Sequence, residues 1–326
     1  MSESTPYTQV PSTVSRDWAV YFESLPNPAS LPPLPELGDL EAWRQRNRVT
    51  EAERLEAGFG DPGPEVEVVE CAIGGIPVLD VRPVGWVDDG RALLYTHGGG
   101  YVAFTARSTI GNAARVVRAS GLRVVSVDYT LAPFARWQEI TDQVISVFQG
   151  LTAEGSSLDQ LAIYGDSAGG SLAAGSVLKM RDLGQGMPAA VVMWSPWSDI
   201  TETGDTYDTL AGVEGSYLYL QHLKPAADAY ADPAEQKNPY VSPVYGDYSK
   251  GFPPTLIQGG TREIFLSNFI RHYQAMDSAG VEVKLDLYEG MPHGFQNKVT
   301  ESPEARLAVK KTVEFITSRL VGGPAS

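Results

Sequence analysis

One serine of the chain stands in a setting that would make it a nucleophile. Ser167 is the centre of the run Gly165-Asp-Ser-Ala-Gly-Gly170, which fits the pattern G-x-S-x-G. A buried strand predicted over 161–164 precedes it and a helix predicted over 171–181 follows, as this motif requires. Its small neighbours permit a sharp turn, and the amide N–H of Ala168 lies beside the hydroxyl at a helix N-terminus. An ordinary serine in a glycine-rich turn is the alternative interpretation of this motif alone.

A second glycine run upstream could stabilise the charge that such a nucleophile creates. His97-Gly-Gly-Gly100 follows a strand predicted over 93–95. Acyl transfer places negative charge on a carbonyl oxygen, and removing one donor to that oxygen costs about 10²–10³ in rate. Successive glycines let backbone amides approach a substrate closely. The two motifs occur in the order that α/β-hydrolases use, although a flexible surface turn remains the alternative for the glycines.

Elimination among the four histidines indicates a general base. His97 belongs to the glycine motif, and His222 lies in an aromatic stretch away from any strand end. His272 falls inside a helical pattern, where we expect it on the surface. His293 follows the strand predicted over 281–288, at a carboxyl end, where α/β sheets place their ligands. We therefore expect His293 to be the base.

The acid partner of this histidine is less sharply indicated. Glu263 lies in the loop after the strand predicted over 254–259, whereas Asp277 lies late in the next helix and Asp286 within the last strand. A carboxylate here holds the imidazole tautomer and stabilises the imidazolium, which Glu can do as well as Asp. We expect Glu263 to be this acid. Its alternative role is that of an ordinary acidic residue in the first turn of a helix.

Five segments together resemble a known family: His97-Gly-Gly-Gly100, Val127-Asp-Tyr-Thr-Leu-Ala-Pro133, Gly165-Asp-Ser-Ala-Gly-Gly170, Ser195-Pro-Trp-Ser-Asp199 and His293-Gly-Phe295. From about residue 64 to the C-terminus, the chain is similar to the bacterial hormone-sensitive-lipase-like carboxylesterases of the α/β-hydrolase fold. The resemblance implies that Ser167 is the nucleophile and His293 the base. It also implies an oxyanion hole formed by the amides of Gly99, Gly100 and Ala168.

The chain departs from the pattern of that family at two places. Where the family usually has Asp-Pro-Leu, this chain has Glu263-Ile-Phe265, so the acid would be a Glu in place of an Asp. After Pro133 the family commonly has a Glu and then a Pro-Ala stretch. Here Phe134-Ala-Arg-Trp137 follows instead, and this loop looks shortened. The departures concern the acid and one loop, and they leave the expected chemistry in place.

The elements that must position these residues alternate between strands and helices, which is typical of an α/β fold with a mostly parallel central sheet flanked by helices. The first two strands, over 66–72 and 78–83, are predicted to form an antiparallel pair around Gly74-Gly75. The other strands are predicted over 93–95, 123–127, 161–164, 189–193, 255–258 and 281–288.

The chain divides into four segments whose sequence patterns differ. Residues 1–60 are predicted to form an N-terminal cap segment, with helices over 15–24 and 37–57. Residues 61–199 form the first part of the core and residues 251–326 the second part. The tyrosine-rich stretch over 200–250 is too long for an ordinary connection and is predicted to be a cap insertion. The alternative is that its tyrosines only pack the insertion against the core.

Composition excludes several function classes. The net charge of −15 and the scattered Lys and Arg residues argue against nucleic acid or an anionic membrane as a partner. The single cysteine, Cys71, rules out an internal disulfide and fits a reducing cytoplasm. We expect a cytoplasmic protein that acts on a small-molecule ester, needs no cofactor or metal, and forms a homo-oligomer as one option.

The resemblance implies a serine carboxylesterase that hydrolyses short-acyl esters through an acyl-enzyme. Two alternatives stay open at this point. The same triad could serve a lactonase or an amidase, and the same fold could serve a non-catalytic small-molecule receptor. Such receptors lose a member of the triad, and the presence of Ser167 together with His293 counts against that alternative.

Overall fold

A mixed sheet of eight strands organises the part of the chain that the computed structural model describes, residues 9–25 and 27–322. The strands are β1 Val66–Ile73, β2 Ile76–Pro83, β3 Ala92–Thr96, β4 Arg123–Val127, β5 Leu161–Asp166, β6 Ala190–Trp194, β7 Thr255–Gly260 and β8 Val283–Tyr288. Their spatial order is β1-β2-β4-β3-β5-β6-β7-β8. β2 pairs antiparallel with β1 and β4, and the strands from β4 to β8 in this order run parallel. The prediction of a mostly parallel sheet is confirmed.

Helices cover both faces of this sheet. In the described residues they are α1 Arg16–Ser24, α2 Leu40–Glu56, α3 Ile110–Ser120, α4 Trp137–Ala153, α5 Ala168–Asp182, α6 Thr206–Thr209, α7 Lys224–Tyr230, α8 Leu266–Ser278 and α9 Pro303–Thr317. Side chains alternate between the two faces of a strand. Leu94 and Ile163 therefore pack on the side of α4, α5 and α8, whereas Leu93 and Ala162 pack on the side of α3 and α9.

The tight turn predicted between the first two strands is confirmed. Gly74 and Gly75 have φ angles of 59° and 78°, in the left-handed region that glycine adopts without strain. A Cβ atom on Gly74 would also lie 1.9 Å from the carbonyl oxygen of Ser146, so helix α4 could not pack as closely against a larger residue.

Helix α1 attaches the N-terminal segment to the C-terminal part of the chain. Trp18 and Phe22 are buried with Met291 and Phe295 in a small apolar cluster. The indole N–H of Trp18 donates to Ser302 Oγ at 2.9 Å, at the start of α9. Residues 1–8 and 26 of the predicted N-terminal cap segment, and residues 323–326 of the predicted core, lie outside the described residues.

The tyrosine-rich stretch between β6 and β7 contains α6, α7 and several single helical turns. Most of its tyrosines pack the stretch against the rest of the protein: Tyr230, for example, is fully buried and stacks on Tyr101 with ring centroids 3.7 Å apart. Tyr217 differs, because its ring meets the imidazole of His293 edge-on at 5.3 Å. Tyr230 therefore only packs this stretch against the rest of the protein, as the alternative interpretation expected, whereas Tyr217 also contacts the histidine.

The prediction that His272 lies on the protein surface is wrong. This side chain is completely buried, with Nδ1 2.9 Å from Ser198 Oγ and Nε2 2.6 Å from the hydroxyl of Tyr248. Ser198 and Tyr248, which come from outside α8, cover this side chain, and the helical turn at Pro243–Tyr245 packs against the same helix. Burial lowers the pKa of His272 to about 3, so the ring is neutral at ordinary pH.

Candidate active site

Ser167 occupies a sharp turn between strand and helix. Strand β5 ends at Asp166 and helix α5 begins at Ala168, so the serine alone makes the turn, with φ 55° and ψ −123°. Non-glycine residues rarely adopt such a backbone, and where they do, the strain often serves function. A Cβ atom on Gly169 would lie 2.0 Å from the carbonyl oxygen of Thr96, so the turn requires glycine at that position.

Three side chains that the sequence places far apart form one hydrogen-bonded chain. Ser167 Oγ lies 2.9 Å from His293 Nε2, and His293 Nδ1 lies 2.8 Å from Glu263 Oε2. A carboxylate only accepts hydrogen bonds, so Nδ1 carries the proton when Glu263 is ionised. Nε2 is then the acceptor that faces the hydroxyl of Ser167. This is the tautomer a general base requires.

Sheet topology explains why these residues meet. Glu263 follows the end of β7 at Gly260, and His293 follows the end of β8 at Tyr288. The two strands are parallel neighbours, so their carboxyl ends lie at the same edge of the sheet. Ser167 follows β5 at that edge too. Asp286 and Asp277 are not part of this chain of hydrogen bonds, since Asp286 pairs with Lys311 at 2.6 Å and Asp277 lies within α8.

Ser195 is a site residue to which sequence reasoning assigned no role. Its hydroxyl lies 2.8 Å from Glu263 Oε1, and the same carboxylate oxygen accepts the amide N–H of Gly260 at 2.5 Å. The amide N–H of Gly294 donates to Ser195 Oγ at 3.1 Å. The signal was available in the Ser195-Pro-Trp-Ser-Asp199 segment, which follows strand β6 at the same sheet edge.

The glycine loop after β3 lies beside the serine. Gly99 has φ 111°, which favours glycine, and both Gly99 and Gly100 share a cavity wall with Ser167. Within the described residues, the amide N–H groups of Gly99 and Gly100 donate to no other atom of the chain. Together with the first amide of α5, at Ala168, these groups are free to meet a developing oxyanion.

His97 holds this loop in place rather than taking part in the hydrogen-bonded chain. Its ring stacks on Tyr129 with centroids 4.3 Å apart, and the Tyr129 hydroxyl donates to the His97 carbonyl oxygen at 2.7 Å. The amide N–H of Gly98 donates to Asp166 Oδ1 at 3.2 Å, which ties the loop to the end of β5. The expectation that His97 belongs to the glycine motif therefore agrees with its contacts.

Two chambers open on Ser167. The larger has a volume of about 680 Å³, and apolar side chains such as Leu34, Val49 and Leu223 line much of it. The smaller has a volume of about 350 Å³ and a polar wall that includes Lys298. Volumes in this range suit small-molecule ligands.

Glu214 is a second buried carboxyl group near the site, and no sequence signal singled it out. Its side chain is fully buried, and Oε1 accepts the amide N–H of Ser216 at 2.8 Å. Burial raises the pKa of Glu214, although the nearby His293 and Lys298 act in the opposite direction. Its position shows that the stretch over 200–250 contributes ionisable groups to the surroundings of His293.

This arrangement fits what comparison with known proteins finds. Residues 93–297 match the protein family described as the alpha/beta hydrolase fold. The chain belongs to the α/β-hydrolase fold family. An esterase from Acinetobacter venetianus (strain RAG-1) is 30% identical to it over 261 residues, which cover 78% of this chain and 83% of that protein.

Solved structures place the α/β-hydrolase among bacterial esterases. The crystal structure of esterase E25 superposes with a TM-score of 0.84 at 28% identity, covering 98% of both chains. An esterase from the bacterial hormone-sensitive lipase family superposes with a TM-score of 0.79 at 28% identity, covering 90% of this chain and 94% of that one. The resemblance indicated by the five sequence segments is confirmed.

None of the helices in the described part of the chain combines the length and the hydropathy needed to cross a bilayer. Over residues 9–25 and 27–322, His, Cys, Asp and Glu side chains nowhere form a group of three or more that could hold a metal ion.

Proposed function

We propose that the protein hydrolyses carboxylic esters through an acyl-enzyme formed on Ser167. The observation that carries this proposal is the chain of hydrogen bonds from Ser167 Oγ through His293 to Glu263, at the junction of two ligand-sized chambers. The similarity to bacterial esterases supports the same reaction. The protein is therefore a carboxylic ester hydrolase of the serine esterase type.

Each residue has a defined part in the proposed mechanism. Ser167 Oγ attacks the acyl carbon while His293 Nε2 takes its proton, and the Glu263 carboxylate stabilises the imidazolium that forms. The amides of Gly99, Gly100 and Ala168 bind the oxyanion. His293 then returns the proton to the leaving alcohol, and a water molecule activated by the same nitrogen releases the acid.

We propose that a cap covers this site, made of the N-terminal segment over 1–60 and the insertion over 200–250. Residues 61–199 and 251–326 form the core beneath it. Both cap segments supply walls of the larger chamber, Leu34 from one and Leu223 from the other. The side-chain amide of Gln221 donates to the carbonyl oxygen of Leu31 at 2.7 Å, which links the two segments. A covered chamber of limited depth supports a preference for short acyl groups.

The compartment is part of the proposal as well. We place the protein in the cytoplasm, where a reducing environment suits its exposed, unpaired Cys71. Within that compartment its substrate would be a small-molecule ester. Fractionation of the native host, followed by detection of the protein with an antibody, tests the placement. Recovery of the protein from the culture medium would contradict it.

A substrate panel tests the proposed function. Purified protein should release alcohol from short-acyl esters, and Ser167→Ala should lower kcat by about 10⁴-fold or more. Ser171→Ala is the matched control, because Ser171 is a buried serine one turn further along α5. A sulfonyl fluoride should label Ser167 alone, as mass spectrometry of tryptic peptides can show.

The same panel decides between the open alternatives. A higher kcat/KM for lactones or amides than for open-chain esters would assign the triad to those substrates instead. Binding of esters without turnover would favour a receptor. Substantial ester hydrolysis by the Ser167→Ala protein would overturn the mechanism.

A further inference from the structure

The two chambers meet at Ser167, and of the two only the smaller is lined by His293. The leaving oxygen must take its proton from His293 Nε2, so the alcohol part of the ester has to lie on the side of this imidazole. His293 and Gly294 line the smaller chamber. The larger, more apolar chamber is then left for the acyl group. The alcohol part of the ester is thus assigned to the smaller chamber.

Two cationic side chains line this smaller chamber. The guanidinium carbon of Arg54 lies 4.1 Å from the ring centroids of both Phe59 and Phe104, and its Nε and Nη2 donate to the carbonyl oxygen of Ser108. Lys298 Nζ donates to Ser216 Oγ at 2.8 Å. These acceptors are neutral oxygens, so neither cation is neutralised by its hydrogen-bond partner.

Arg54 is held in one orientation, and the surroundings of Lys298 favour its charged form. A guanidinium sandwiched between two aromatic rings is restrained in one orientation. Burial alone would lower the pKa of Lys298, but the oxygens of Tyr21, Tyr217 and Glu214 outweigh that effect and raise it. An ammonium group that is partly withdrawn from water interacts more strongly with an opposite charge than one at an open surface.

One carboxylate, that of Asp166, lines the chamber together with the two cations. Asp166 Oδ1 accepts the Tyr95 hydroxyl at 2.5 Å and the Gly98 amide N–H at 3.2 Å, and since both donors are neutral the carboxylate keeps its negative charge. Glu214 is fully buried outside the lining of the chamber, and burial raises its pKa. Two cations and one carboxylate give the lining of this chamber a net positive charge, within a protein whose net charge is −15.

We propose that Arg54 and Lys298 select esters whose alcohol part carries an anionic group, so that the preferred substrates are acyl esters of hydroxy acids. This specificity rests on the proposed esterase function. The reaction balances with water alone: the ester C–O bond breaks, the acyl carbon gains the hydroxyl of water, and the hydroxy acid leaves with the proton from His293. Charge-assisted hydrogen bonds from the two cations would hold the carboxylate of the alcohol.

A matched pair of substrates tests the selectivity. The acetate esters of 3-hydroxypropanoate and of 3-hydroxypropanamide differ little in size but differ in charge. The wild-type protein should have the higher kcat/KM for the anionic ester. Lys298→Met should lower the anionic-to-neutral ratio of kcat/KM by about tenfold or more. Lys298→Arg should restore most of it, and Lys310→Met, which removes an exposed lysine of α9, should leave the ratio as it is.

A binding measurement distinguishes a failure of the proposed anion site from a failure of the proposed esterase function. Calorimetry with the Ser167→Ala protein compares binding of 3-hydroxypropanoate and 3-hydroxypropanamide without any turnover. Tighter binding of the anion, together with absence of ester hydrolysis by the wild-type protein, would keep the anion site and overturn the esterase function. Hydrolysis of both esters with the neutral one preferred, or an unchanged ratio in Lys298→Met, would overturn the anion site and keep the esterase function. If Lys298→Met misfolds, the wild-type preference between the two esters and the calorimetry still decide whether the chamber selects an anion.

Discussion

The hydroxyl of Ser195 lies 2.8 Å from Oε1 of Glu263, on the side of the carboxylate that faces away from the imidazole. The same hydroxyl oxygen accepts the amide N–H of Gly294, the residue after His293. One side chain therefore joins the loop that carries the acid to the loop that carries the base. Ser195 has φ 47°, so a strained backbone delivers its hydroxyl to this place. We regard Ser195 as a positioning residue.

Ser195→Ala should lower kcat for a short-acyl ester by about tenfold or more, because small misplacements of catalytic groups are costly. KM should change little, since Ser195 touches the acid and not the substrate chambers. Steady-state kinetics measure kcat and KM separately. Ser198→Ala, three residues along the same loop, is the control and should keep its kcat. An increase of KM with normal kcat would place Ser195 in substrate binding instead.

Glu263→Gln should lower kcat by about 10²–10⁴-fold, because a neutral amide cannot stabilise the imidazolium. The loss should be smaller than that in Ser167→Ala. Glu263→Asp should fall between Glu263→Gln and the wild type, since it keeps the charge but shortens the reach to His293 Nδ1. Asp286→Asn serves as control because Asp286 pairs with Lys311. A large loss of kcat in Asp286→Asn, together with near-normal kcat in Glu263→Gln, would assign the role of the acid to Asp286.

The sequence was sufficient for the parts of the site that local motifs encode. Ser167 needs small neighbours on both sides of a strand-to-helix turn, and this requirement leaves a readable pattern around it. His293 and Glu263 could be placed because a parallel sheet brings the carboxyl ends of its strands to one edge. The order of strands and loops along the chain was enough for this prediction, because the sheet topology brings the two residues close together.

Residues that act through distant contacts could not be found in the same way. Lys298 and Arg54 line one chamber, but 244 positions separate them in the chain and neither lies in a motif. His272 was misplaced because a helical pattern shows which residues share a face and not which neighbour covers that face. The cover comes from Ser198 and Tyr248, which lie in stretches of the sequence without periodicity.

Leu223→Trp should narrow the larger chamber and shift the acyl-length profile towards acetate. Each acyl methylene buried in the wild-type chamber contributes about 0.8 kcal/mol, or roughly fourfold in kcat/KM, until the chain meets the wall. The tryptophan brings that limit nearer, so hexanoate and octanoate esters should lose more than acetate. A series of p-nitrophenyl esters measures this. Leu220→Trp is the control, since Leu220 is 70% exposed. An unchanged profile in Leu223→Trp would place the acyl group outside this chamber.

Trp18→Ala should lower the free energy of unfolding by about 3–5 kcal/mol. Trp18 is fully buried, and its loss would leave a cavity beside Phe295 and remove one of the hydrogen bonds of the Ser302 hydroxyl, which also accepts the amide N–H of Ala305. Urea unfolding followed by circular dichroism measures the change. Val20→Ala on the same helix should have little effect, because Val20 is 59% exposed. Equal stability of Trp18→Ala and the wild type would show that α1 contributes little to the fold.

The buried imidazole of His272 should make the stability of the fold depend on pH. Its pKa is lowered to about 3 by burial, whereas a histidine in the unfolded chain titrates near 6.5. Between these values the unfolded state binds the extra proton and the folded state does not. Stability contributed by the neutral ring is therefore fully present above about pH 6.5 and is lost as the pH falls, with a slope of up to about 1.4 kcal/mol per pH unit. His272→Gln, which cannot titrate, should be less stable than the wild type at neutral pH but should lose stability less steeply on acidification. Urea unfolding of both proteins between pH 7 and pH 4 tests this expectation, and parallel curves would show that His272 becomes protonated without leaving the fold.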